Sequence, residues 1–113
     1  MSIDFAHHSE RNVAAILDYY DIEWQYEPTT FVLERYEDGS VSSAFSPDFY
    51  LPAFDLYVEI TTMAQKHVTK KNRKLRQLRA TYPEVNAKIF YQRDYERLML
   101  THLSLISGLA EAA

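Results

Sequence analysis

The chain has 113 residues, enough for one domain (1–113), and its 47% hydrophobic and 25% charged residues are typical of a globular protein. It has no cysteine, which excludes disulfides and thiolate metal sites, and its two glycines exclude a glycine-rich phosphate loop. The first residues do not form a secretory signal, and the most apolar window, 98–113, is too short to span a bilayer. We therefore expect a cytoplasmic protein without a membrane segment.

In chain order the residue pattern predicts α-β-β-β-β-α-β-α, which is an α/β mixed sheet covered by helices. Apolar residues recur at helical spacing in three segments, 5–20, 69–82 and 95–110. Thr69 and Asp94 are the predicted N-caps of the second and third helices. Strands are predicted where apolar and aromatic residues cluster or alternate, at 22–27, 31–36, 41–51, 55–61 and 87–91.

Charge is unevenly distributed along the chain, although the net charge is only −4. Residues 1–65 carry 12 acidic and two basic residues, whereas residues 66–113 carry ten basic and four acidic ones. Seven of the basic residues lie in 66–79, which contains no acid. Such a segment is typical of a solvated helix face, and it also suits a positive surface beside carboxylates.

The last predicted helix is apolar over more than one face. One interpretation is a fully buried helix, and the other is a homodimer formed through this C-terminal helix, because surplus apolar surface on a small domain favours a partner. The apolar residues that widen its stripe are Met99, Leu103 and Ile106.

Three acidic residues occupy positions that the pattern otherwise assigns to the core. Glu10 heads the apolar stripe of the first predicted helix, and Asp48 lies within the third predicted strand. Glu59 interrupts the apolar run of the fourth. A buried unpaired carboxylate is costly, so each must lie at a sheet edge, pair with a base or bind a cation. Because all three occur in one αβββ unit, we favour a shared site.

Carboxylates from different elements form the oxygen-only ligand set that Mg²⁺ prefers, with Mn²⁺ as an alternative. The expected metal ligands are Asp48, Glu59 and Glu10, and the backbone carbonyl of Ile60 completes the set. A cation held in this way polarises a phosphodiester and lowers the pKa of its bound water.

The segment 46–61, SPDFYLPAFDLYVEIT, resembles the PD-(D/E)XK nuclease superfamily, which includes restriction endonucleases and Holliday-junction resolvases. Pro47-Asp48, a gap of ten residues and then Glu59 in an apolar strand match its signature, and Glu10 matches the extra carboxylate of many members. The resemblance covers roughly residues 5–97. It implies a restriction-endonuclease-like α-β-β-β-α-β core, with a mixed sheet of four to five strands and an extra C-terminal helix. It also implies metal-dependent hydrolysis of DNA phosphodiester bonds.

The sequence departs from this signature at Thr61, where the superfamily has a lysine thought to orient the attacking water. Some members supply that lysine from the following helix, and we expect Lys71 to take this role because it lies about 60° from the inward stripe of the helix. The alternative is that Lys71 only flanks the core, with its stem packed and its amine in solvent. Lys74 and Lys66 are reserve candidates, and Gln65 is an accessory candidate in the preceding loop.

The basic residues expected to face outwards suit contacts with a nucleic-acid backbone, which give salt-sensitive binding without sequence information. They are Lys70, Arg73, Lys74, Arg76 and Arg79.

Three functions follow from these features. The first is a Mg²⁺-dependent endonuclease in which Glu10, Asp48, Glu59 and Lys71 are catalytic. The second is a catalytically impaired nuclease-fold module that binds nucleic acid or protein, because Thr61 replaces the signature lysine. The third is a small dimeric interaction protein whose acids only resemble the signature.

Overall fold

The computed structural model describes residues 3–62 and 65–112, apart from the side chains of residues 65–67 and 106–112. In these ranges the protein is a mixed α/β structure with three α-helices, a four-stranded sheet and a two-stranded sheet. The helices are α1 (His8–Tyr19), α2 (Gln65–Thr81) and α3 (Gln92–Ala112). The strands are β1 (Gln25–Tyr26), β2 (Phe31–Arg35), β3 (Val41–Phe45), β4 (Phe49–Leu51), β5 (Leu56–Thr61) and β6 (Ala87–Tyr91).

The four-stranded sheet has the order β1-β4-β5-β6 and is mixed. β4 pairs antiparallel with both β1 and β5, whereas β5 and β6 are parallel. A single turn of 3-10 helix, Pro52–Phe54, joins β4 to β5. Because parallel neighbours need a crossover, α2 connects β5 to β6.

Two apolar clusters hold the helices and strands together. The buried residues of the first come from α1, β4 and β5: Val13, Ala14, Phe49, Val58 and Ile60. The buried residues of the second come from β2, β3, α2 and β6: Phe31, Phe45, Leu75, Leu78 and Ile89. Successive side chains of a strand point to opposite faces, so Val58 and Ile60 of β5 enter the first cluster and Tyr57 packs against the second.

The single strand predicted at 41–51 is wrong, because the chain forms two strands there. β3 pairs only with β2 in the two-stranded sheet, and β4 belongs to the four-stranded sheet. Pro47 is fully buried between them and has no backbone N–H to donate to a ladder. Asp48 therefore lies just before β4 and not inside a strand.

Two predicted helix starts are also wrong. α2 begins at Gln65, four residues before the predicted cap Thr69, since no proline or glycine interrupts this stretch. α3 begins at Gln92, directly after β6, so Asp94 lies within its first turn. The Asp94 carboxylate accepts the N–H of Tyr91 at 3.0 Å, which is the backward half of a capping box.

The outer part of α3 is not buried, in contrast to the first interpretation of its apolar surface. Leu100, Leu103 and Leu105 are each more than half exposed. The side chain of Ile106, predicted to widen the same surface, lies outside the described residues. No helix within the described ranges combines the length and low polarity that crossing a bilayer requires.

Candidate functional site

Three elements bring the predicted acids together at one end of the four-stranded sheet. Glu10 comes from the first turn of α1, Asp48 from the break before β4, and Glu59 from the middle of β5. These residues are 2%, 7% and 7% exposed. All three are thus buried carboxylates, and the contacts below show what offsets the cost of burial.

Strand register places Asp48 beside Glu59. Phe49 pairs with Val58, so the residues that continue the two strands face each other. The backbone N–H of Asp48 donates to Oε1 of Glu59 at 3.0 Å, and the N–H of Ile60 donates to Oδ2 of Asp48 at 2.7 Å. Because β4 begins only at Phe49, the Asp48 carboxylate takes the acceptor position that a longer strand would fill with a carbonyl.

Among the described side chains, Lys71 is the basic one that reaches this pair. Its Nζ lies 2.8 Å from Oε2 of Glu59 and donates to the carbonyl of Ile60 at 3.3 Å. Glu59 is therefore held at both oxygens, one by a backbone N–H and the other by an ammonium. Thr61, at the signature position of the lysine, is buried, and within the described residues its hydroxyl has no hydrogen-bond partner.

Glu10 links the N-terminus of α1 to the same cluster. Its Oε2 accepts the N–H of His7 at 2.7 Å, and its Oε1 accepts the hydroxyl of Tyr26 at 3.1 Å. Burial, followed by the neighbouring carboxylates, raises the pKa of Tyr26 to about 12, so the phenol is a neutral donor near pH 7.

Burial, together with the repulsion between neighbouring ionised carboxylates, makes the ionised form of Asp48 unfavourable. Burial raises the pKa of Asp48 to about 9, and the charge of Glu59 and a hydrogen bond with Glu10 act in the same direction. The bond that the N–H of Ile60 donates opposes this shift. Without a cation, Asp48 therefore carries a proton near pH 7, whereas a bound cation would favour its ionised form.

Glu27 is a site residue that the sequence analysis missed. One carboxylate oxygen from each of Glu10, Glu27 and Asp48 lies within 4.8 Å of the others. β1 pairs with β4 through Tyr26 and Phe49, and the N–H of Glu27 donates to the Asp48 carbonyl at 2.8 Å. Only this pairing, between segments about 20 residues apart, brings Glu27 to the site; no local pattern in 22–27 signals it.

The oxygen donors fit a hard divalent cation such as Mg²⁺ in their chemistry, because it prefers carboxylate and carbonyl oxygen. Among the described residues, Glu10, Asp48 and Glu27 form the acidic group whose oxygens come near enough to share a cation. Glu59, predicted as a direct ligand, is joined to the group through Asp48 and has Lys71 on its other oxygen. The carbonyl of Ile60, predicted to complete the shell, accepts the amine of Lys71 instead.

A cleft beside the acids is lined by α2 on one side and by β3 with its following residue on the other. Its lining residues are Lys70, Lys71 and Lys74 of α2, Ala44, Phe45 and Ser46, and Glu59 of β5. Lys74, expected to point outwards, is partly buried and donates to the carbonyl of Ala44 at 2.8 Å. Burial, followed by the charge of Lys70, lowers the pKa of Lys74.

The other predicted basic residues lie along the exposed side of α2. Arg73 lines a second depression with Lys74 and Gln77, next to the cleft. Arg76 and Arg79 are exposed, and Arg79 donates to the carbonyl of Ala87 at 3.0 Å. The side chains of Gln65 and Lys66 lie outside the described residues.

No protein family, curated protein or solved structure was found to match the chain.

Proposed function

We propose that this protein is a metal-dependent endonuclease of the PD-(D/E)XK type that hydrolyses phosphodiester bonds in DNA. The observation that carries the proposal is the Lys71 amine, 2.8 Å from Glu59 and beside the buried Asp48. An amine next to clustered carboxylates is the combination that the chemistry needs, although the amine comes from α2 and not from the position of Thr61.

The order of elements supports the same proposal. A helix precedes the strands, β4 and β5 form a hairpin that carries two acids, and α2 leads to a parallel strand, β6. A restriction-endonuclease-like core has this α-β-β-β-α-β order. The separate β2–β3 pair and the long α3 are additions around it.

Each residue has a role that its contacts support. Asp48, Glu10 and Glu27 would hold the cation, and Glu59 would orient Lys71 through their ion pair. A bound Mg²⁺ or Mn²⁺ supplies Lewis-acid polarisation of the phosphodiester and a lower pKa for bound water. Lys71 would position the attacking water and offset the negative charge that develops on the phosphate.

DNA is the expected partner because the cleft over Glu59 is walled by amines. Lys70, Lys71 and Lys74 line it, and Arg73 extends the positive surface into the neighbouring depression. These residues match phosphate contacts, which position a duplex without reading its sequence.

A second candidate function is a nuclease-fold module that binds DNA without cutting it. Two observations favour it: Thr61 replaces the signature lysine, and Lys71 occupies the carbonyl of Ile60 that a metal shell would use. The basic cleft serves equally well in this function, so only an activity measurement separates the two.

We also propose a homodimer formed through α3. Leu100, Leu103 and Leu105 are exposed, and residues 98–105 contain no Asp, Glu, Lys or Arg. A surface without charges offers nothing to pair with a charged partner, whereas a second copy of the same helix matches it. Two copies would bring two sites to the two strands of a duplex.

The decisive experiment incubates the purified protein with plasmid, linear and branched DNA, with EDTA, Mg²⁺ or Mn²⁺. We expect metal-dependent cutting that is lost in Asp48→Asn and Glu59→Gln. Glu84→Gln is the matched control, because Glu84 is an exposed acid away from the cluster. Binding without cutting under every metal condition would replace the enzyme by the binding module. Cutting that persists in both site variants would mean a contaminating nuclease.

A further inference from the structure

Thr61 has a buried hydroxyl that the proposed reaction does not use. The residue is 1% exposed, and Oγ1 has no hydrogen-bond partner among the residues described. A buried hydroxyl without a partner is destabilising, and valine would fill the same space without this cost. Because no described residue uses this hydroxyl, a bound ligand is the partner that we consider.

Thr61 lines a cavity at the carboxyl ends of β5 and β6. The cavity is bordered by α2 at Val68, by the end of β6 at Tyr91 and by the first turns of α3. In open α/β sheets, ligands bind in the crevice beyond the carboxyl ends of the parallel strands. The cavity that Thr61 lines therefore lies where sheets of this kind bind ligands.

The charges around the cavity favour an anion. Arg93 and Arg97 line it one helical turn apart, and Asp94 is the acid among its lining residues. The Asp94 carboxylate accepts the N–H of Tyr91 and is thus engaged at the start of α3. α3 has 21 residues, and its N-terminus adds the positive end of a helix dipole.

We propose that this cavity binds a phosphate group, with the Thr61 hydroxyl as a donor and Arg93 and Arg97 as counter-charges. Glu59 and Thr61 lie on the same face of β5, about 7 Å apart along the strand. The bound group would therefore be a backbone phosphate of the same DNA strand, close to the one that is cut. This choice of source rests on the proposed function, whereas the phosphate chemistry does not.

The test is calorimetric titration of the protein with inorganic phosphate at constant ionic strength in EDTA. We expect Thr61→Val to weaken phosphate binding at least fivefold and Arg93→Ala/Arg97→Ala at least tenfold. Arg11→Ala, an exposed arginine on α1, should bind phosphate like the unmodified protein. No phosphate binding by the unmodified protein, or equal affinity in Thr61→Val, overturns the proposal.

A second arm identifies the source of the phosphate. A thymidine pentanucleotide without a terminal phosphate should compete with inorganic phosphate, and Thr61→Val should weaken its binding by a similar factor. Phosphate binding without such competition would support a site for free phosphate and overturn the backbone assignment.

The two proposals fail separately. The titrations contain no metal, so they remain readable if the protein cuts no DNA. Conversely, unchanged phosphate affinity in Thr61→Val would overturn the phosphate site without bearing on the proposed metal-dependent cutting.

Discussion

At the scale of single residues, opposing effects act on the protonation of Asp48. Its carboxylate accepts the N–H of Ile60, which favours the ionised form, whereas burial and the charge of Glu59 favour the protonated one. Burial dominates, so the pKa rises to about 9 in the folded chain from 3.8 for the free side chain. The protonation of Asp48 therefore depends on pH, and a bound cation would favour its ionised form.

We predict that stability in EDTA falls as pH rises from about 4 towards 9. Between these values the folded protein binds more protons at Asp48 than the unfolded chain, so raising the pH favours unfolding. Asp48→Asn should flatten this dependence, because the amide keeps a hydrogen-bonding side chain without the titration. The measurement is the free energy of unfolding by urea across the pH range. An unchanged slope in Asp48→Asn would contradict the assignment.

Lys71 gives a second prediction at this scale. Lys71→Met retains the aliphatic stem but removes the charge that meets Glu59, so we expect DNA cutting to fall by about 100-fold or more. DNA binding should change only a few-fold, because Lys71 is one of several basic side chains expected to contact the DNA backbone. Initial cutting rates and binding isotherms, measured below the melting temperature, separate the two effects.

Lys88→Met is the control, since Lys88 is an exposed lysine on β6 whose amine lies over the ring of Phe90. If Lys71→Met cut DNA as fast as this control, Lys71 would have no part in the reaction.

At the scale of elements, α2 serves both the core and the cleft. Leu75 and Leu78 anchor its inner face in the second apolar cluster, and Lys71 and Lys74 flank that face. Helical spacing predicts this division, because residues three and four apart share a face. Spacing alone could not decide which amine meets Glu59 and which meets the Ala44 carbonyl.

The exposed side of α2 predicts how DNA binding depends on salt. Lys70→Ala/Arg73→Ala should weaken binding and reduce the slope of log affinity against log salt by about one to two. Arg11→Ala/Lys88→Ala removes the same charge elsewhere and should leave the slope nearly unchanged. Equal slopes in the two double variants would show that α2 does not contact the phosphates. Filter binding or fluorescence anisotropy across a salt series measures the slope.

At the scale of the whole molecule, the apolar surface of α3 has no cover within the described chain. The sheet contacts the first part of the helix, where Tyr95 and Leu98 pack on the first cluster. Leu100, Leu103 and Leu105 are exposed beyond it. Their exposure argues for association, since burying such residues from two copies removes apolar area from water.

We predict that Leu100→Glu/Leu103→Glu converts a dimer into a monomer. Two like charges on each copy would then face each other, and the apolar contact would be lost. Light scattering after gel filtration and sedimentation equilibrium measure the mass. Ala80→Glu/Thr81→Glu adds the same charge at the exposed end of α2 and should leave the dimer intact. A monomeric unmodified protein at all concentrations would remove the dimer proposal.

Local patterns in the sequence predict the helices and part of the candidate site. Periodicity identified the three helices and placed Glu10 at the head of a buried stripe and Lys71 beside the inward face of α2. Such patterns are readable because helix and strand geometry repeats over a few residues.

The tertiary structure decided what depends on partners distant in the chain. It divided 41–51 between two sheets, brought Glu27 to Asp48 by pairing β1 with β4, and enclosed Thr61 at the end of two parallel strands. Strand pairing and burial depend on contacts between separated segments, and no local pattern encodes which segments meet.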